Sequence, residues 1–74
     1  MHNMEFIDRH GKKINVDPFD QASIDAAKTA APGEGVGLAV ESELLGQLAA
    51  GKVANANQLP FEYRHLAEVS GLSN

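Results

Sequence analysis

Three histidines, His2, His10 and His65, and ten acidic residues are the side chains from which a metal site or an acid–base pair would have to be drawn. Glu62, His65 and Glu68 recur every third residue, which on a helix places them on one face. In a four-helix carboxylate centre such a motif supplies ligands together with partners on other helices, and this chain holds one copy of it. With no cysteine to complete a tetrahedral set, the three residues read as a solvated face, and neither a metal nor another cofactor is expected. Nucleophilic chemistry would need Ser23, Ser42, Ser70 or Ser73 beside His10 or His65. None of these serines sits in a motif that strains or activates its hydroxyl. Ser23 reads as a helix-interior residue, Ser42 as a helix cap, and Ser70 and Ser73 as the borders of a turn. Gly33-Glu34-Gly35-Val36-Gly37 has the glycine density of a phosphate loop. No Lys-Ser or Lys-Thr follows it, and Glu34 would repel a phosphate, so the expectation is a flexible connector. A domain this small also leaves little room for a ligand pocket of ~300 Å³ beside its own core. The chain is therefore expected not to be an enzyme.

Recognition residues are easier to find. Arg9, Lys12 and Lys13 put half of the six bases within five residues, and with Glu5 and Asp8 they leave residues 1–16 at +1. Residues 17–74 carry eight acids against Lys28, Lys52 and Arg64, a balance of −5, and the chain as a whole is at −4. A basic tip on an acidic body can steer the domain toward an acidic region of a partner. Phe61, Tyr63 and Arg64 are of the types enriched in binding hot spots. Core packing is expected for Tyr63, whereas Phe61 and Arg64 are candidates for the docking surface.

Residues 63–73, Tyr63-Arg64-His65-Leu66-Ala67-Glu68-Val69-Ser70-Gly71-Leu72-Ser73, resemble the first helix and turn of the helix-turn-helix in LacI-type repressors. The resemblance implies close packing of Ala67, a turn at Gly71 and a recognition helix beginning at Ser73. Only Asn74 follows Ser73, so readout of bases by such a helix is not expected, and the same residues also read as an ordinary helix with a glycine cap.

These residues must be positioned by short elements. Met4 to Ile7 and Lys13 to Val16 flank Arg9-His10-Gly11-Lys12, and Phe6, Ile14 and Val16 alternate against Glu5, Lys13 and Asn15; this predicts a β-hairpin, although Ile7 breaks the alternation. Asp17-Pro18-Phe19-Asp20 predicts a helix start capped by Asp17. Phe19, Ala22, Ala26 and Ala30 form its leading stripe and Ile24, Ala27 and Ala31 a flanking one, with Pro32-Gly33 as the stop. Leu38 to Val40 reads either as a short third strand or as the lead-in to a helix capped by Ser42 and carrying Leu44, Leu45, Leu48 and Ala49 up to Gly51. Val53 to Gln58 reads as a connector, and Pro60 introduces a last helix from Phe61 to Ser70, with Tyr63, Leu66 and Ala67 buried. The expected fold is α+β, one small domain over residues 1–74, with the hairpin packed on about three short helices. An all-α domain with an irregular N-terminal arm is the alternative.

Seventy-four residues with three Phe, one Tyr and no Trp support only a thin core. At roughly 25 cal/mol per Å² of buried apolar surface, such a core offsets chain entropy narrowly. Partner binding or formation of a homo-oligomer would relieve that deficit. The absence of cysteine favours a reducing, cytoplasmic setting. No apolar run resembles a signal peptide or reaches the ~18 residues of a membrane span, so no membrane partner is expected. The leading expectation is a non-enzymatic regulator of bacterial or phage type that docks on a larger protein or assembly, and the alternative is a nucleic-acid-associated regulator.

Overall fold

The computed structural model describes residues 3–72; His2 and Ser73 lie outside them. The elements run β1 (Met4–Ile7), β2 (Lys13–Val16), α1 (Gln21–Ala30), α2 (Val36–Ala49) and α3 (His65–Val69), with two 3-10 turns, Ala56–Gln58 and Phe61–Tyr63, between α2 and α3. A two-stranded antiparallel sheet with three helices makes this a small α+β fold, and the all-α alternative falls.

The hairpin pairs Met4 with Val16 and Phe6 with Ile14. Phe6, Ile14 and Val16 turn toward the core, while Glu5, Lys13 and Asn15 are exposed. Ile7 breaks the alternation of character but keeps that of direction, so it faces solvent.

The start of α1 differs from the prediction. Asp20, not Asp17, is the cap: its side chain accepts from the Ala22 N–H at 3.1 Å. Asp17 closes the preceding turn, accepting from Phe19 N–H through its carboxylate (3.0 Å) and from Asp20 N–H through its carbonyl (3.1 Å). The cause is Pro18, which is fully buried and takes the second position of that turn. Of the two stripes on α1, the flanking one is the core: Ile24, Ala27 and Ala31 are buried, whereas Ala22, Ala26 and Ala30 face solvent. Burying one Ile removes far more apolar area than an alanine stripe can, so Ile24 sets the orientation.

The third strand predicted over Leu38 to Val40 is absent; these residues lie inside α2. Val36, Val40 and Leu44 recur at helical spacing and are buried. The helix begins three residues into the glycine-rich stretch because Gly35, at φ 87°, takes the left-handed conformation and its carbonyl accepts from Ala39 N–H at 3.0 Å. Ser42, predicted as the cap, is in mid-helix and exposed. At the other end, Gly51 and Lys52 return their N–H groups to Leu48 and Gln47, a Schellman motif.

Residues 53–58 are more ordered than a plain connector. The Asn55 side chain accepts from Asn57 N–H (3.0 Å), and the Gln58 side-chain oxygen accepts from the N–H groups of Ala54 and Asn55, so the two side chains form a capping box. The predicted helix from Phe61 to Ser70 is divided into the second 3-10 turn and α3. Tyr63, Leu66 and Ala67 are buried as expected. Gly71 and Leu72 return their N–H groups to Glu68 and Ala67, so the segment that resembles a helix-turn-helix ends, within the described residues, in a glycine cap. Val16, Ile24, Val40, Leu44, Leu59, Tyr63 and Leu66 meet in one cluster, so every element contributes to the same core. Among the described residues no helix is long and apolar enough to cross a membrane.

Candidate partner-binding surface

At the hairpin tip the Asp8 carboxylate accepts from the N–H groups of His10 (2.8 Å) and Lys12 (2.9 Å), which wraps the turn around one acidic side chain. The Lys12 N–H bond is the leading cause that holds the Asp8 carboxyl below its ordinary pKa. The three bases are then not equivalent. Arg9 turns back onto the α1–α2 turn: its backbone N–H donates to Glu34 (3.0 Å) and its guanidinium pairs with the same carboxylate. Glu34 is 12% exposed in its side chain against 65% for Arg9. Lys12 and Lys13 are exposed, so two lysines, not three bases, are left to reach outward.

Phe61 is 80% exposed, and the Arg64 guanidinium sits 5.9 Å from its ring centroid while Nε donates to the Leu59 carbonyl at 3.3 Å. That distance is at the outer edge of a cation–π contact. The two residues present an aromatic face and a charge side by side. Between them Tyr63 points inward, and its hydroxyl donates to the Gly37 carbonyl at 3.2 Å; burial pushes the phenol pKa up. Glu62 accepts from Lys28 Nζ (2.8 and 2.9 Å) and Gln21 Nε2 (2.8 Å), so the turn is pinned to α1. The hydrogen bond with Lys28, and then that with Gln21, lowers the Glu62 pKa, and the same ion pair raises that of Lys28.

The catalytic alternatives gain no geometry. Ser23 accepts from Asp17 N–H at 2.9 Å, and His10 and His65 are exposed on separate elements. Among the described residues, no group of three or more His, Asp or Glu side chains is placed to hold a metal ion. Concave surface is more extensive than the chain length predicts: an open cleft of about 600 Å³ lies between Lys28, Gly35, Leu38, Glu41, Glu62 and Tyr63. A second, of about 550 Å³, is lined by Phe19, Gln47, Lys52 and Gln58. Because both open to solvent, they coexist with the core instead of competing with it.

The first cleft borders a surface that the sequence did not disclose. With about 100° between successive helix residues, Leu38, Ser42, Leu45, Gly46 and Ala49 fall in one stripe opposite the buried Val36, Val40 and Leu44. Leu38 is 74% and Leu45 39% exposed. The only charged residues of α2 are Glu41 and Glu43, and the same spacing sets Glu41 at one edge of the stripe and Glu43 farther round, beside the buried Val36. A helix apolar on both faces is ordinarily covered on both. The missed signal was that fourteen residues with two charges, both near the middle, cannot make a polar outer face. No protein-family model, characterised protein or solved structure matches the chain.

Proposed function

We propose that this chain is a non-enzymatic regulator of the cytoplasm that acts by docking on a larger protein, with the outer face of α2 as the centre of its binding surface. The observation that carries the reading is the uncharged stripe from Leu38 to Ala49, headed by a leucine 74% exposed. Single exposed apolar residues are ordinary, but an aligned stripe on one helix is the form that partner-binding surfaces take. Phe61 and Arg64, the chain neighbours of the cleft-lining Glu62 and Tyr63, are a second part of the proposed surface. Lys12 and Lys13, exposed on the hairpin tip, act on the rate of approach through an acidic region of the partner separate from the segment that covers α2, with Arg9 contributing less because Glu34 offsets its charge.

Immobilised protein exposed to extract of its source cells, followed by mass spectrometry, tests the reading. The key comparison is with Leu38→Glu, which places a carboxylate in the first turn of α2, where it favours the helix, and with Ile7→Ser on the hairpin as a control face. A protein retained by the wild type and by Ile7→Ser, and lost from Leu38→Glu, is the expected result. Retention that is the same for all three chains, or of nucleic acid instead of protein, would remove α2 as the docking surface.

A further inference from the structure

We infer that the occupant of the α2 face is a basic amphipathic helix of the partner, about three turns long, whose apolar side packs on Leu38 and Leu45 and whose Lys or Arg residues flank that side, foremost along the Glu41 edge. This rests on the protein-binding reading above and adds the chemistry of the partner. From Leu38 to Ala49 the stripe extends about 16 Å at 1.5 Å per residue, which sets the length of the matching helix.

Two independent features fix its character. The first is charge: Glu41 lines one edge of the stripe, Glu43 lies beyond the other edge, and α2 has no Lys or Arg, so the helix as a whole is acidic. Glu43 accepts from Gln47 at 2.9 Å and Glu41 forms no ion pair or hydrogen bond, so among the described residues neither carboxylate is paired with a cation. Packing α2 against α2 of a second copy would bring together two acidic helices with no cation between them, whereas a helix edged with Lys or Arg meets opposite charge.

The second feature is Gly46. A methyl group added there would meet nothing within 4 Å, so the fold of this chain gives no reason for a glycine in mid-helix. At Gly37, by contrast, the same methyl group would contact the Lys28 side chain and the Tyr63 hydroxyl at 3.6 Å. Glycine in a helix interior is unfavourable relative to alanine. What Gly46 provides, together with Ser42 four residues before it, is close approach of a second backbone to the outer face.

The probe is a synthetic helical peptide of roughly 16 residues, about 24 Å long as a helix, with a Leu/Ala face edged by Lys; a second peptide has Glu in place of every Lys. Binding is measured by calorimetry at two salt concentrations and mapped by amide chemical shifts. The Lys peptide should bind, shift the amides of Leu38, Ser42, Leu45, Gly46 and Ala49, and lose affinity as salt rises, while the Glu peptide binds at least about tenfold more weakly. Glu41→Gln with Glu43→Gln should weaken the Lys peptide roughly three- to tenfold and flatten its salt dependence. Gly46→Ala should raise the melting temperature and yet weaken binding, opposite signs that a purely structural glycine would not give. Equal binding of the two peptides, shifts confined to other elements, Gly46→Ala with unchanged affinity, or self-association through α2 in sedimentation would each overturn the inference. The two proposals fail separately: a natural partner that is lost with Leu38→Glu but not displaced by the Lys peptide leaves the protein-binding reading standing and removes the basic helix.

Discussion

In residues 4–49 the chain is shaped by backbone hydrogen bonds, in two paired strands and two helices; between residues 53 and 63 side chains take over that work. There Asn55 and Gln58 cap one short turn, Glu62 reaches back to Lys28 and Gln21 on α1, and the Tyr63 hydroxyl holds the Gly37 carbonyl. Both regions feed the same core, since Leu59 and Tyr63 are buried in one cluster with Ile24 and Leu44. A short segment of two 3-10 turns is thus made integral by a few side-chain tethers and by its buried anchors Leu59 and Tyr63.

That comparison breaks most directly at Leu59, 1% exposed and set between the two 3-10 turns. Leu59→Ala should cost about 2–5 kcal/mol, a large part of the roughly 4–11 kcal/mol expected for a chain of this length at ~0.05–0.15 kcal/mol per residue. Denaturant midpoints check this, and a loss under about 1 kcal/mol would mean that the segment is an appendage to the core. Next come the caps, one in each region. Asp20→Ala and Asn55→Ala should each lower stability by about 0.5–2 kcal/mol. Amide exchange should separate them: it quickens throughout the core for Asp20→Ala and mainly over residues 53–63 for Asn55→Ala. Asp17→Ala, which opens a turn but spares the α1 cap, should cost less than Asp20→Ala; the reverse order would return the cap to Asp17.

A smaller effect is expected at Tyr63→Phe, which keeps the ring and removes the bond to Gly37, at about 0.5–1.5 kcal/mol by thermal or urea unfolding. Smallest is the Lys28–Glu62 pair. The folded-state pKa of Glu62 is lowered by Lys28 and Gln21, so its contribution is present above the unfolded carboxylate pKa and is lost as pH falls through the lowered one. The folded-state pKa of Lys28 is raised, so its part is present below the unfolded lysine pKa and is lost as pH rises through the raised one. With both side chains 38% exposed, screening holds the total below about 1 kcal/mol. The stability gap between wild type and Glu62→Gln should therefore close at both ends of the pH range and shrink in salt. A gap that ignores pH would assign Glu62 a packing role.

Elements that bury one face were legible in the sequence, because alternation in the hairpin and the grouping of Tyr63, Leu66 and Ala67 are local patterns. Where two residues compete for one task, local pattern did not decide. Asp17 and Asp20 both suit a cap, and only the burial of Pro18 assigns the turn to one and the helix to the other. The glycines before α2 read as a loop, which hid the true helix start and with it the outward position of Leu38. The tie between Arg9 and Glu34 spans 25 residues and carries no local signature, so the tip looked more basic than it is. Phe61 and Arg64 were named from residue type alone, and the structure places them side by side on the surface.

The tethers of the 3-10 turns also set a timetable for synthesis. Tyr63 closes onto a residue 26 positions earlier, and Glu62 onto residues 34 and 41 positions earlier. Closing such loops costs entropy that grows only slowly with length, so delay, not thermodynamics, is the obstacle. A ribosome adding roughly 5–20 residues per second releases the hairpin, α1 and α2 before it releases the aromatic ring that covers them. Until Tyr63 is free to pack, Ile24, Val40 and Leu44 lack part of their cover.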